Sequence, residues 1–413
     1  LEAGASAVVP SDLLEKIKSA ADAISFAQIE AATGVSEQDF REAGALFARA
    51  ERGVIIAGRS ILRGDEGYAA MLRLAELAVL SGNAGCPAGV LALAKESNAF
   101  GAIEMGGVPE FLPGFQPVAE ADRGHTALEM IDAAARGEIK ALYLVGEDPL
   151  RTLPQKKVAE ALQNLDLLIC QDLYPTETTN LAHIVLPGAS YAEKSGRFTN
   201  HEGEIQKVRQ AIDPLGNTKP DWQIFSTLIN KIKTAGKVPY QRLLGHASAD
   251  AVWKEAVMSM PQGWPVSSDD VRAHVARYAG RADIRWAVSP PQDQNGAFDL
   301  QVGQSLFHAG RMSTYASGLT TLLGQAVVLM HPEDAEHLDI EEGDVVQISV
   351  EGREETLELP VKYSKKLAEG TLFVPEHFSL DIKKVLPFEV DSKTKVPYGD
   401  RGRVLLSKAQ VAV

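Results

Sequence analysis

Repeatedly along this chain a short, wholly apolar run stops at glycine, proline or aspartate, and helix-like sequence follows; few folds accommodate that grammar. Gly53-Val54-Ile55-Ile56-Ala57 ends in Gly58-Arg59-Ser60, ahead of an amphipathic stretch from about Tyr68 to Leu80. Lys140 to Val145 ends in Gly146-Glu147-Asp148-Pro149, ahead of helix-like sequence around Lys157 to Gln163. Leu165 to Cys170 stops at Gln171-Asp172, with Thr176 to Asn180 able to open the next helix, and Ala182 to Leu186 closes at Pro187-Gly188. Strands apolar on both faces, alternating with helices, predict an α/β fold whose parallel sheets are covered by helices on each side. In such sheets ligands sit off the carboxyl ends of the strands, where these Gly, Asp and Thr residues cluster.

The flanks use other patterns. Asp12 to Phe26 has helical spacing, and Ser36-Glu37-Gln38-Asp39 has the form of a capping box ahead of the stripe Phe40, Ala43, Phe47 and Ala50. A further helix is expected from Asp221-Trp222 to about Lys233. Ser289-Pro290-Pro291-Gln292-Asp293-Gln294-Asn295-Gly296 reads as a linker, which divides the chain into residues 1–288 and 289–413. Beyond it, Val327 to Met330, Val345 to Val350, Glu355 to Val361 and Leu372 to Val374 read as short strands separated by Glu-Gly turns. One short helix, Pro332 to His337, interrupts them, which predicts a small β-barrel.

Composition removes several classes of function. With 41 basic and 55 acidic residues the net charge is -14, a surface that repels nucleic acid and anionic lipid. The apolar stretch Ala69 to Leu80 is broken by Arg73 and Glu76, short of the roughly 20 residues that span a bilayer. Two cysteines, Cys86 and Cys170, make neither a disulfide scaffold nor a four-thiolate iron-sulfur site, and Cys170 inside an apolar run reads as a buried thiol. The opening Leu1-Glu2-Ala3-Gly4 lacks a basic-then-apolar leader and reads as a cut inside a longer chain.

Common catalytic signatures fail. Gly236-Lys237 would need a glycine where Lys231 stands to make a phosphate loop. Gly188-Ala189-Ser190-Tyr191-Ala192 lacks the second glycine of a nucleophile elbow, and His331 and His337 are too loosely spaced to argue for zinc.

The informative stretch runs from Gln171 to Gln206. Thr176-Glu177-Thr178-Thr179 precedes Val185-Leu186-Pro187-Gly188-Ala189, then comes Glu193-Lys194-Ser195-Gly196 with Asn200, then Glu202-Gly203-Glu204-Ile205-Gln206. These elements, at this spacing, resemble the molybdopterin oxidoreductase family. Ser81-Gly82-Asn83-Ala84-Gly85-Cys86-Pro87, Asn98 to Met105 and Leu112-Pro113-Gly114 are similar to further family elements. So is His308-Ala309-Gly310-Arg311-Met312, which resembles the opening of the family's C-terminal barrel. The Leu-Pro-Gly-Ala and Tyr-x-Glu-Lys-Ser details are most similar to the large peripheral subunit of NADH-quinone oxidoreductase, respiratory complex I.

The resemblance implies Rossmann-like lobes over residues 1–288 and a double-psi-type, molybdopterin-dinucleotide-binding-like barrel over 289–413. It implies a cofactor cleft facing Gly58, Arg59, Gly146, Glu147, Asp148, Asp172, Thr176, Glu177, Thr178, Glu193, Asn200, His308, Gly310, Arg311 and His377. Phosphates would take backbone N–H groups and hydroxyls near Gly146 and Thr176 to Thr178, and a guanine edge would donate to Asp172. Family members that hold the metal place their iron-sulfur cysteines and metal ligand before the region matched here. The implied parent is therefore an NADH:quinone oxidoreductase subunit with iron-sulfur clusters in an N-terminal part. This portion would have no catalytic or metal-binding residues and no cofactor of its own. It would be a scaffold that docks other peripheral-arm subunits in the electron-transport chain, on the cytoplasmic side of the inner membrane without inserting into it. Glu147 and Asp148, two negative charges where a diphosphate would lie, favour that expectation. The alternative is a molybdopterin-dependent enzyme such as a formate dehydrogenase, binding a molybdopterin guanine dinucleotide.

Overall fold

The structure is a computed structural model that describes residues 11–58, 61, 65–83, 89–153, 155–235, 245–261, 297–306, 308, 311–322, 324–376, 382–386, 388–390, 397–399 and 401–409. The chain forms two compact units, one of residues 1–147 and 164–291, the other of residues 148–163 and 292–413. The linker expected at 289–296 lies outside the described residues.

The first unit opens with helices Ser11–Asp22, Phe26–Thr33 and Glu37–Ala48. The box expected at Ser36 is half made. Ser36 accepts from the Asp39 N–H and donates its hydroxyl to the Asp39 carboxylate, but aspartate is one methylene too short to reach back to the Ser36 N–H as glutamate does. The full box forms instead at Ser25, whose partner is Gln28.

Two parallel sheets follow. Strand β1 (Ile55–Ala57) pairs in parallel with β2 (Val90–Ala92), the two joined through helix α1 (Asp65–Leu80). Strands β3 (Ala141–Val145), β4 (Leu167–Asp172) and β5 (Ile184–Pro187) form a parallel sheet in that order, with Val145 opposite Gln171 and Asp172 opposite Pro187. The all-apolar runs are thus the sheet, and Cys170 is buried in its central strand as expected. Helix α2 (Glu177–Leu181) follows β4. Strands β6 (Gly196–Thr199) and β7 (Ile205–Val208) make an antiparallel hairpin, and helices α3 (Asp221–Thr234) and α4 (Ala249–Ser259) close the described part of the unit.

The second unit is a closed six-stranded barrel of β8 (Ala297–Gly303), β9 (Val328–Met330), β10 (Val345–Ser349), β11 (Thr356–Tyr363), β12 (Thr371–Pro375) and β13 (Arg401–Lys408). Its interior is aliphatic, and Leu300, Met330, Ile348, Leu372 and Val374 are wholly buried. Alternation does this: β8 turns Phe298, Leu300 and Val302 inward and leaves Asp299 and Gln301 outside. Two of the six strands, β8 and β13, go beyond those read from the sequence. The expectation of a single helix is corrected too, because Ser317–Leu322 and Ile382–Val385 are also helical. No described helix is long and apolar enough to cross a membrane.

Candidate functional site

Each unit presents a polar edge. In the first, the carboxyl ends of β3, β4 and β5 lie side by side. Gly146 follows β3 at φ +66°, and its N–H donates to the Gln171 carbonyl at 2.8 Å, extending the ladder by one bond. A Cβ placed there would meet nothing within 4 Å, so the backbone angle rather than space calls for glycine.

Beside it, Asp172 ends β4. The residue is 6% exposed, and its Oδ1 accepts from the Leu173 N–H at 2.6 Å. Thr176 then caps α2, accepting from the Thr179 N–H at 3.1 Å while the Thr179 hydroxyl accepts from the Thr176 N–H at 2.7 Å. Glu177 is exposed in the first turn, where the helix dipole favours a carboxylate, and Thr178 is buried. The Gly188 N–H reaches the Asp172 carbonyl at 3.0 Å and closes the edge. Gly146, Asp172, Thr176, Glu177 and Thr178 are thereby brought to one rim, with Glu147 exposed next to Gly146.

Other candidates hold loops. Glu193 is buried and accepts from the N–H groups of Ser190 (2.7 Å) and Leu215 (2.8 Å). These bonds, the Ser190 backbone first, hold its carboxyl below the usual range. The Asn200 side-chain oxygen accepts from the N–H groups of Glu202 and Glu204, both at 2.9 Å, and tightens the β6–β7 turn. Gly58 follows β1 in the other sheet, and its carbonyl accepts from the Ile61 N–H at 3.1 Å. Arg59, Gly310 and His377 lie outside the described residues.

In the second unit β8 and β12 run parallel, Gly303 opposite Pro375, and their carboxyl ends form the other edge. His308 is fully buried with Nδ1 3.2 Å from the Ser313 hydroxyl. Arg311 opens a short 3-10 helix and brings Nη1 to 3.9 Å from the Asp148 carboxylate, which is itself buried. Arg151, one turn beyond Asp148, joins them. Burial above all, then the nearby Arg311 charge, push its guanidinium down, while Asp148, Glu376 and Tyr315 act in the opposite sense.

Sequence reading missed Arg151, because the contact is made across more than 150 positions of chain. It also missed Gln171, 1% exposed, which accepts from the Tyr143 hydroxyl at 2.5 Å and donates to Asp221 at 2.7 Å. Chemically, the first edge offers backbone donors, hydroxyls and one buried carboxylate, and the second offers two guanidinium groups balanced by two carboxylates.

Comparison with known proteins gives two family matches in tandem. The family described as molybdopterin oxidoreductase matches residues 14–231, and the molybdopterin dinucleotide binding domain matches residues 303–397. The alpha subunit of NADPH-Fe(3+) oxidoreductase from Geobacter sulfurreducens is 29% identical over 88% of this chain and 43% of its own length. The alpha subunit of F420-dependent formate dehydrogenase from Methanocaldococcus jannaschii is 30% identical over 84% of this chain and 56% of its own. An NADH-quinone oxidoreductase subunit from Rhizobium meliloti is 29% identical over 69% of this chain and 35% of its own. This chain therefore spans about half the length of the first two relatives. Among solved structures, acetylene hydratase from Pelobacter acetylenicus shares the fold with a TM-score of 0.69 at 17% identity, over 96% of this chain and 66% of that one.

Proposed function

Because this chain belongs to the molybdopterin oxidoreductase family, we propose that it is the dinucleotide-holding part of a molybdopterin-dependent oxidoreductase alpha subunit of the formate dehydrogenase kind. The observation that carries this reading is the rim of the β3–β4–β5 sheet. A left-handed glycine, a buried carboxylate and a threonine-capped turn stand together where an α/β sheet takes its ligand. The donor set fits a molybdopterin guanine dinucleotide. Asp172 would accept from the guanine edge, and the backbone at Gly146 and the turn at Thr176 to Thr178 would face phosphate.

In the barrel unit, Arg151 and Arg311 are the groups suited to phosphate oxygens. Asp148 no longer argues against an anionic ligand once its carboxylate lies beside Arg311, which leaves Glu147 as the exposed charge. The cofactor, when bound, supplies the redox-active metal; the residues named here bind and orient it. The relatives that share most of this chain at 29–30% identity, an iron(III) reductase subunit and a formate dehydrogenase subunit, support this reading over the scaffold.

The scaffold in NADH-quinone oxidoreductase is the second reading, favoured by the match to the Rhizobium protein and by the Leu186-Pro187-Gly188-Ala189 and Tyr191-x-Glu193-Lys194-Ser195 details. In either case partner subunits are expected. The test is metal analysis of the full-length protein together with fluorescence of extracted pterin. Stoichiometric molybdenum or tungsten with a guanine-bearing pterin, lost in Asp172→Ala, is expected. Neither metal nor pterin in a folded, iron-containing preparation would establish the scaffold instead.

A further inference from the structure

The first unit also contains a cavity that the cofactor reading does not use. It measures about 380 Å³ and opens between the Ala99–Glu104 helix, the β6–β7 hairpin and the helices α3 and α4. That volume lies within the roughly 300–1,000 Å³ of small-molecule sites. Trp222, Trp253, Phe198 and Tyr191 give it aromatic walls, and Tyr191 stands 63% exposed. A large ring left in water beside an aromatic cavity is surface that a ligand would cover.

The charges around it do not cancel. Asp221 is held from behind by a buried chain, the Tyr143 hydroxyl donating to Gln171 and Gln171 donating to Asp221 Oδ1. Its other oxygen accepts from the Lys194 ammonium, which lines the cavity and has two further N–H groups. Arg197 lies over the Trp253 ring, 4.7 Å from its centroid, and pairs with Asp250 at 3.0 Å; Lys207 approaches the same carboxylate at 3.5 Å. Of these groups Lys194, Arg197 and Asp221 line the cavity, two cations and one carboxylate, while Lys207 and Asp250 lie behind Arg197 and the buried Glu104 carboxylate lies behind Thr199, in a protein whose net charge is -14. Local positive charge set in low-dielectric walls focuses the field and concentrates anions.

We propose that this cavity binds a small planar aromatic monoanion, its ring against the Trp222, Phe198 and Trp253 walls and its carboxylate on Lys194. Asp221 positions Lys194, and the Tyr143–Gln171 chain fixes Asp221. The cavity is separate from the dinucleotide edge, and Gln171 adjoins both, its carbonyl accepting from Gly146 there and its side chain donating to Asp221 here.

The test is a calorimetric titration of the whole 413-residue chain with 2-naphthoate and, as a matched cation, 2-naphthylmethylammonium. Saturable 2-naphthoate binding is expected, with the cation at least about tenfold weaker, a difference of roughly 1.4 kcal/mol. Lys194→Met weakens 2-naphthoate at least about tenfold and narrows the gap between the probes. Ala256→Trp, which places a ring in the cavity without touching the Asp221 chain, abolishes binding of both while circular dichroism stays that of the parent. Three outcomes would overturn the proposal: no 2-naphthoate binding to the parent chain, equal affinity for the two probes, or 2-naphthoate binding unchanged in Ala256→Trp. The probe comparison and Ala256→Trp decide the matter even if Lys194→Met fails to fold.

Discussion

Glu76 sits on α1 with 2% of its surface exposed, its Oε2 2.7 Å from Arg73 Nη1 and its Oε1 without a hydrogen-bond partner. Burial raises its carboxyl above the usual range, and Arg73 only partly opposes this. A raised acid favours its protonated form in the fold, so the stability it contributes is complete below the ordinary carboxylate value and is lost as pH rises through the raised one. Glu76→Gln does not titrate. The melting temperature of the variant relative to the parent is therefore expected to rise between pH 4.5 and pH 8, as thermal melts across that range would record. Gly146 gives a second expectation. Because only its φ of +66° is at issue, Gly146→Ala should cost about 1–2 kcal/mol in a denaturant titration without disturbing neighbouring packing.

At the level of the element, Glu193 fastens the segment between β5 and β6 to Leu215 through two backbone bonds. Its depressed carboxyl means that this fastening is present above the ordinary carboxylate range and is released as pH falls through the lower value. Glu193→Ala is expected to speed hydrogen exchange at the Ser190 and Leu215 amides at neutral pH, and the parent should approach the variant only in acid.

Which elements could be read in advance has a physical pattern. The strands β3, β4 and β5 are apolar on both faces and announce themselves by composition, and Thr176 announces a helix start by its own side chain. Strand β13 does not: it begins and ends in charge, and is held by pairing with Ala297–Gln301, 100 or more positions away. Arg151, which joins the named residues Asp148 and Arg311, and the Tyr143–Gln171–Asp221 chain were hidden for the same reason. Each residue is ordinary where it stands, and only the fold supplies its partner.

For the whole molecule the family and the architecture were legible, because they are carried by contiguous motifs and by hydrophobic periodicity. The composition of the units was not, since residues 148–163 lie in sequence between β3 and β4 yet group with the barrel. That excursion has a practical consequence. The C-terminal unit is not one contiguous stretch of sequence: a gene segment for residues 292–413 would encode the six barrel strands but omit the buried Asp148 that faces Arg311. Such a piece is expected to be poorly soluble when expressed alone and to gain solubility and melting temperature when a peptide of residues 148–163 is added in trans. Equal behaviour with and without the peptide would show that the excursion is dispensable. If it is not, evolution could shuffle this barrel between proteins only together with the helical segment 148–163.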